Sequence, residues 1–341
     1  MTAAKRSRVT LADVARQARV DPSVVSRVIN GDSRLVIKAE TRERVLATIR
    51  ELNYHPNAAA RSLRTAQSGT FGLLIPDFTN PIYAEIIKGA EQEATEHGSL
   101  LLAGTAFDDR PERYVEMLAS GRVEGLLLAA NRLPTDAVQA MLATGRSIVS
   151  VNQRIRGIEH AILADDERAS KIAVQHFVGL GHERIAHLRG PADSDTARRR
   201  LNGFRRAMRA AGFPPDPDLI VGTDYTTDAG AAALRELMSR RPRPTAVLVA
   251  NVAAAVGALS AARELDVHVP DDLSVVAIHV IPLAANLWPP LTTVRMPLGE
   301  MGRAGVRALV SDPGPAEIVV VRDPTELIER ESTAPPSRRG R

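Results

Sequence analysis

Apolar residues change their spacing once along this chain, and the change divides it. Up to about residue 53 they recur at three- and four-residue intervals in short bursts. Leu11, Val14, Ala15 and Ala18 form one burst, Val24, Val25, Val28 and Ile29 a second, and Val45, Leu46, Ile49 and Leu52 a third. The pattern predicts three short amphipathic helices. Thr10 can cap the first, with Asp13 three residues on as the partner of a capping box. Arg19-Val20 makes a tight turn, and Asp21 caps the second helix, with Pro22 at a position where no N–H is needed. The third runs from about Lys38 to Asn53. Two short helices joined by a tight turn are a helix-turn-helix.

From Thr70 the pattern alternates between short apolar runs and longer amphipathic stretches. It predicts strands at 71–75, 99–103, 125–129, 147–151, 184–189, 219–221, 246–250 and 274–278. Between them it predicts helices at 81–97, 110–120, 135–143, 167–180, 196–211, 227–240 and 253–265. The series restarts after Ile162, so two βαβ series argue two doubly wound parallel-sheet lobes. Pro244–Ala262 carries no charge and is nearly long enough to span a membrane. Its alanines, with Asn251, Gly257 and Ser260, favour a strand followed by a helix.

Charge sharpens the division. Residues 1–67 hold thirteen Lys/Arg and six Asp/Glu, whereas the whole chain of 341 carries only +4. A basic head on a mildly acidic body suggests a polyanion-binding module joined to something else. Pro22 and Ser23 stand at the N-terminal end of the second helix, the end that enters the major groove, and Arg27 one turn on can reach guanine or phosphate. Ser26 and Asn30 share that outer face. Asn57 can cap a short further helix, AAARSLR, whose alternative is a plain flexible linker. Thr10, Tyr54, Asn57, Ala60, Arg61 and Leu63 complete the candidate DNA-binding set.

VTLADVARQARVDPSVVSRVINGD and TRERVLATIRELNYHPNAAARSLRT resemble the DNA-binding head and hinge of the LacI/GalR repressor family, and the resemblance extends through nearly the whole chain. It implies a small all-α helix-turn-helix domain (1–56), a hinge helix and linker (57–69) and a two-lobed α/β core of periplasmic-binding-protein-like fold (70–330). Lobe 1 would hold about 70–161 and 295–321, lobe 2 about 162–293 and 322–330, with 331–341 a disordered tail. It also implies a homodimer on pseudo-palindromic operator DNA, with Leu63 wedged into the minor groove, and a small-molecule effector in the interlobe cleft. Ile37 is a departure, standing where relatives often carry a helix-capping Ser.

Polar residues after strands are the effector candidates: Asp77, Phe78 and Asn80, then Asn131, then Asn152 and Arg154. The resemblance adds Arg200, Tyr225, Asn251 and His279, with Arg198 and Arg199 expected to be solvated. For Asp77, Asn80 and Asn251 a turn or cap role is the alternative, and for His279 a buried, hydrogen-bonded role. Carboxylates common in the family at 152, 252 and 279 are replaced here, which favours a sugar acid or phosphosugar over a neutral sugar. A core that has lost effector binding, leaving a ligand-independent regulator, is the other reading.

The absence of cysteine excludes disulfides and thiolate metal sites. With 3% aromatics a single-strand stacking platform is disfavoured. No HExxH, GxxxxGK[ST], GxSxG or GxGxxG occurs, so neither enzyme nor cofactor is expected. The N-terminus lacks an apolar leader, so a cytoplasmic protein is expected rather than an exported solute-binding one.

Overall fold

The computed structural model describes residues 9–32, 34–55, 68–106, 112–130, 133–222, 224–311 and 316–337. The chain divides into two compact units, Met1–Ser68 and Gly69–Arg341.

The first unit holds α1 (Leu11–Ala18), α2 (Pro22–Ile29) and α3 (Ala39–Glu51). The predicted capping box is present: the Thr10 hydroxyl accepts the Asp13 N–H at 3.3 Å, and the Asp13 carboxylate accepts the Thr10 N–H at 2.9 Å. Arg19 closes α1 with φ 55°, the left-handed conformation that ends a helix. Asp21 caps α2 through the Ser23 N–H at 2.8 Å. Val14, Ala15, Ala18, Val25, Val28, Val45 and Tyr54 form the core. Leu46, expected inside, is exposed, and Thr48 takes the inward place. The capping position of α3 is Lys38, one residue beyond Ile37, and no side chain caps it. An ammonium has no acceptor to offer, so the missing cap is real but lies at Lys38.

The second unit contains two six-stranded sheets. Sheet A uses β1 (Thr70–Ile75), β2 (Leu100–Thr105), β3 (Gly125–Leu128), β4 (Ser147–Val151), β5 (His160–Ala164) and β11 (Ile318–Val321). Sheet B uses β6 (Ile185–Arg189), β7 (Ile220–Gly222), β8 (Ala246–Val249), β9 (Ser274–Ile278), β10 (Thr292–Arg295) and β12 (Glu326–Ile328). Their orders are β11-β5-β4-β3-β1-β2 and β12-β10-β9-β8-β6-β7. Every pairing is parallel except β10 with β12. The central strands are continuous apolar runs because helices cover both faces. These helices are α4 (Ile82–Glu96), α5 (Glu112–Ala119), α6 (Thr135–Leu142), α7 (Asp166–Gly179), α8 (Asp195–Ala210), α9 (Thr227–Ser239), α10 (Val252–Glu264) and α11 (Leu298–Val310).

The uncharged stretch 244–262 resolves into β8 and α10. Among the described residues no helix is long and apolar enough to cross a membrane. Helix α11 returns to lobe 1 as expected and packs on α4 through glycines: a Cβ on Gly89 would sit 1.9 Å from the Gly299 carbonyl oxygen. Beside that seam the buried Glu93 pairs with Arg303 at 3.3 Å and Arg307 at 3.0 Å.

Three expectations need correction. The crossover placed near 162 falls inside β5, so lobe 1 runs on to Ala164. The one near 294 falls inside β10, which stays in sheet B. The segment from 331 is not loose up to 337. Ser332 is fully buried, its hydroxyl donating to the Val275 carbonyl at 2.6 Å and accepting the Thr292 N–H at 2.8 Å. The Ala334 carbonyl bonds His182 Nε2 at 2.9 Å.

Candidate functional site

On the head, Pro22, Ser23, Arg27 and Asn30 are exposed and share the outer face of α2, with Ser26 half-buried among them. Arg27 is lightly held, its Nε 3.9 Å from Asp32. The Asn30 amide donates to the Ser26 carbonyl at 2.6 Å, so it also secures its own helix end. Tyr54 is packed into the core, 8% exposed, which makes its ring a structural element. Thr10 is exposed, with its hydroxyl engaged in the cap. Asn57, Ala60, Arg61 and Leu63 lie outside the described residues.

In the core, a cleft of about 750 Å³ opens between the lobes beyond the carboxyl ends of the strands. Lobe 1 contributes Asp77, Thr79, Asn80, Tyr83, Asn152 and Gln153. Lobe 2 contributes Ser194, Thr196, Arg200, Asp224, Tyr225 and Asn251. Six of the ten candidates therefore converge: Asp77, Asn80, Asn152, Arg200, Tyr225 and Asn251.

Arg200 lies on the inward face of α8 with Gly203, Phe204 and Ala207, and only 2% of it is exposed. Its Nε donates to Asp166 Oδ1 at 2.7 Å, Nη1 to the Ala250 carbonyl, and Nη2 to His279 Nε2 at 2.7 Å. Burial is the largest influence and works against its charge, but Asp166, Tyr225 and Tyr83 together hold its pKa above the ordinary value. His279 is fully buried behind Arg200 and does not line the cleft. Arginine only donates, so His279 Nε2 must accept, and the ring proton sits on Nδ1. Burial first, and Arg200 second, hold the His279 pKa well below its usual value. The buried alternative for His279 is thus the one observed.

Asn152 adopts φ 72°, and its buried Oδ1 has no hydrogen-bond partner. Its side chain bonds the Tyr83 hydroxyl, whose pKa burial pushes up. Tyr225 stands against Gly190, where a Cβ would meet the ring at 2.5 Å. Its hydroxyl bonds Thr196 Oγ1 at 3.0 Å and Ser194 Oγ at 3.2 Å. Asn251 lines the cleft and also caps a helix. Its Oδ1 caps α10 through the Ala254 N–H at 2.9 Å, and its Nδ2 donates to the Tyr225 carbonyl at 3.0 Å. Asp77 likewise makes a turn, accepting the Thr79 N–H at 2.8 Å, while facing the cleft. The Asn80 Oδ1 accepts the Ile82 N–H at 3.4 Å.

Phe78 does not line the cleft and is 56% exposed. Arg154 does not line the cleft, and its backbone N–H donates to Asp195 at 3.1 Å. Asn131 lies outside the described residues. Arg198 is exposed as expected, but Arg199 is largely buried in ion pairs. Sequence reasoning missed Thr79, Tyr83, Gln153, Ser194, Thr196 and Asp224. Tyr83 occupies the apolar face of α4, where it reads as core. Ser194 and Thr196 carried a usable signal, being hydroxyls at a helix N-terminus just after a strand.

Among the described residues the charged side chains lining the cleft are Arg200, Asp77 and Asp224, and Arg200 is paired with Asp166 beneath it. Among the described residues no cluster of His, Asp and Glu could hold a metal ion.

Residues 10–57 match the model for bacterial regulatory proteins of the lacI family, and residues 174–333 match a periplasmic binding protein-like domain. The ribose operon repressor of Escherichia coli (strain K12) is 39% identical over 306 residues, covering 88% of this chain and 92% of that protein. The lac repressor dimer, solved bound to operator and the anti-inducer ONPF, superposes with a TM-score of 0.84 at 28% identity, covering 96% of this chain and all of that one. A LacI family transcriptional regulator from Enterococcus faecium with bound ribose gives 0.69 at 25% identity, covering 79% of this chain and all of that one.

Proposed function

The chain belongs to the lacI family of bacterial regulatory proteins, a DNA-binding repressor under effector control, and we propose that its effector is a small, uncharged, polyhydroxylated molecule of the pentose class. The observation that carries this reading is the buried Asp166–Arg200 pair. An anionic effector would meet an arginine already charge-compensated, with Asp77 and Asp224 facing the same space. A sugar hydroxyl suits the lining better, because it can donate to the Asp77 carboxylate and accept from Arg200. Tyr225 would pack on the apolar face of the ring. The ribose operon repressor and the ribose-bound neighbour support the same class.

In this reading Asp77, Asn80, Asn152, Arg200, Tyr225 and Asn251 contact the effector. The outer face of α2, through Pro22, Ser23 and Arg27, reads operator base edges and phosphates, and two copies act on one operator. The hinge assignment, with Leu63 as the wedge, completes the DNA contact. The cleft binds and does not catalyse. Among the described residues no histidine lines it, and Ser194 is hydrogen-bonded to other hydroxyls. Operator binding places the protein in the cytoplasm, with the chromosome.

A thermal-shift panel tests the effector class, because a ligand that binds only the folded state raises the midpoint by mass action. D-ribose and its neutral epimers are expected to raise it, while ribose 5-phosphate and ribonate are not. A rise with the two anions alone would overturn the proposal.

A further inference from the structure

Arg199 neighbours Arg200 on α8 but makes a different set of bonds. Its Nε and Nη2 donate to Asp166 Oδ2 at 3.1 and 2.6 Å, and Nη2 also donates to the Asn152 carbonyl at 3.0 Å. Asp195, one helical turn back, pairs with Arg199 and accepts the Arg154 backbone N–H at 3.1 Å. Asn152 and Arg154 follow β4 and belong to lobe 1. Arg199 and Asp195 belong to lobe 2, and Asp166 opens α7 at the first crossover. One acid and one base of lobe 2 therefore hold a backbone N–H and a backbone C=O of lobe 1.

The contact is sheltered. The Arg199, Asp195 and Asp166 side chains are 14%, 7% and 0% exposed. Charge-assisted bonds at this depth escape the screening that makes surface pairs weak. The held turn also carries two groups of the cleft. Asn152 holds φ 72° with its Oδ1 buried and unpartnered, and Gln153 donates to the Ala129 carbonyl. Asp166 joins the contact to the cleft directly, since its Oδ1 binds Arg200 and its Oδ2 binds Arg199.

We infer that Arg199 is a positioning residue: with Asp195 and Asp166 it clamps the 152–154 turn of lobe 1 onto α8 and so sets the spacing of the lobes at the cleft. Effector affinity then depends on a side chain that does not line the cleft. The guanidinium is needed for its shape, because one planar edge reaches a carboxylate and a carbonyl together, whereas a lysine ammonium is a point charge. The affinity part rests on the proposed effector reading. The clamp itself does not.

Hydrogen exchange on the unliganded full-length protein, followed by mass spectrometry, tests the clamp in wild type, Arg199→Gln and Asp195→Ala. Amides in the 152–156 stretch are expected to exchange about tenfold faster in both variants, with peptides from β6 and β8 unchanged. Unchanged exchange at 152–156, or equal acceleration in β6 and β8, would overturn the clamp. Calorimetric titration with D-ribose tests the consequence: Arg199→Lys is expected to bind about tenfold more weakly than wild type. Wild-type affinity in Arg199→Lys would overturn the positioning role. Failure of D-ribose to bind the wild type would overturn the pentose reading, and the exchange result would then decide the clamp alone.

Discussion

Removing the carboxylate beneath Arg200 should unbalance the interior of the core. In Asp166→Ala, a guanidinium that is 2% exposed loses its counter-charge and cannot reach water without leaving its bonds to Ala250 and His279. Breaking a buried pair by deleting one partner costs about 3–5 kcal/mol. At about 2–4 °C per kcal/mol, the core's melting midpoint should fall by roughly 6–20 °C. The companion variant Asp166→Ala/Arg200→Met removes both charges. It strands the Ala250 carbonyl and His279 Nε2, a cost of about 1–3 kcal/mol, but no unpaired charge remains. The double variant should therefore be about 1–2 kcal/mol more stable than the single. Urea unfolding followed by circular dichroism near neutral pH measures both. A single-variant loss under about 1 kcal/mol, or a double variant weaker than the single, would refute the account of Arg200 as a charge balanced from below.

Four further outcomes are expected. Gly190→Ala should force the Tyr225 ring out of place, since the new Cβ would lie 2.5 Å from it; calorimetry should show D-ribose affinity falling while the fold persists. Lys38→Ser supplies the missing cap of α3 and should stabilise the head by about 0.5–2 kcal/mol in urea. His187 is held neutral, its pKa lowered from 6.5 to about 4 chiefly by burial, against the pull of its bond to Leu248. Its stabilising contribution is complete above pH 6.5 and is lost as pH falls toward 4, where the unfolded chain alone binds the proton; the loss amounts to about 3 kcal/mol. The stability gap between wild type and His187→Gln should narrow over that window. Leu63→Ala should weaken operator binding far more than non-specific DNA binding in gel-shift titrations, and equal loss on both would remove the wedge assignment.

Local rules carried the head and most of the core. The Thr10–Asp13 capping box, the Asp21-Pro22 start of α2, and the split of 244–262 into strand and helix all follow from interactions within a few residues. What failed was non-local. β10, β11 and β12 are only three or four residues long, and β5 and β11 pair with each other from far apart in the sequence, so local periodicity does not announce them. In the site, the family resemblance pointed to Arg200, which lies on the face with Gly203 and Phe204 and away from the exposed Arg198. It could not reveal that Arg199 finds Asp166 and Asn152, because those partners come from another element and the other lobe.

The stitching of residues 332–334 into sheet B, together with β11 at the edge of sheet A, fixes an order of events during synthesis. The head is complete in sequence by about residue 55, and domains emerging first from the ribosome fold first. Neither lobe has its last strand until residues 318–328 have been made, and sheet B gains its final seam only with Ser332 and Ala334. The DNA-reading module is thus finished long before the sensor that governs it, and each newly made molecule passes through an interval in which it has a head and no cleft through which an effector can act on it.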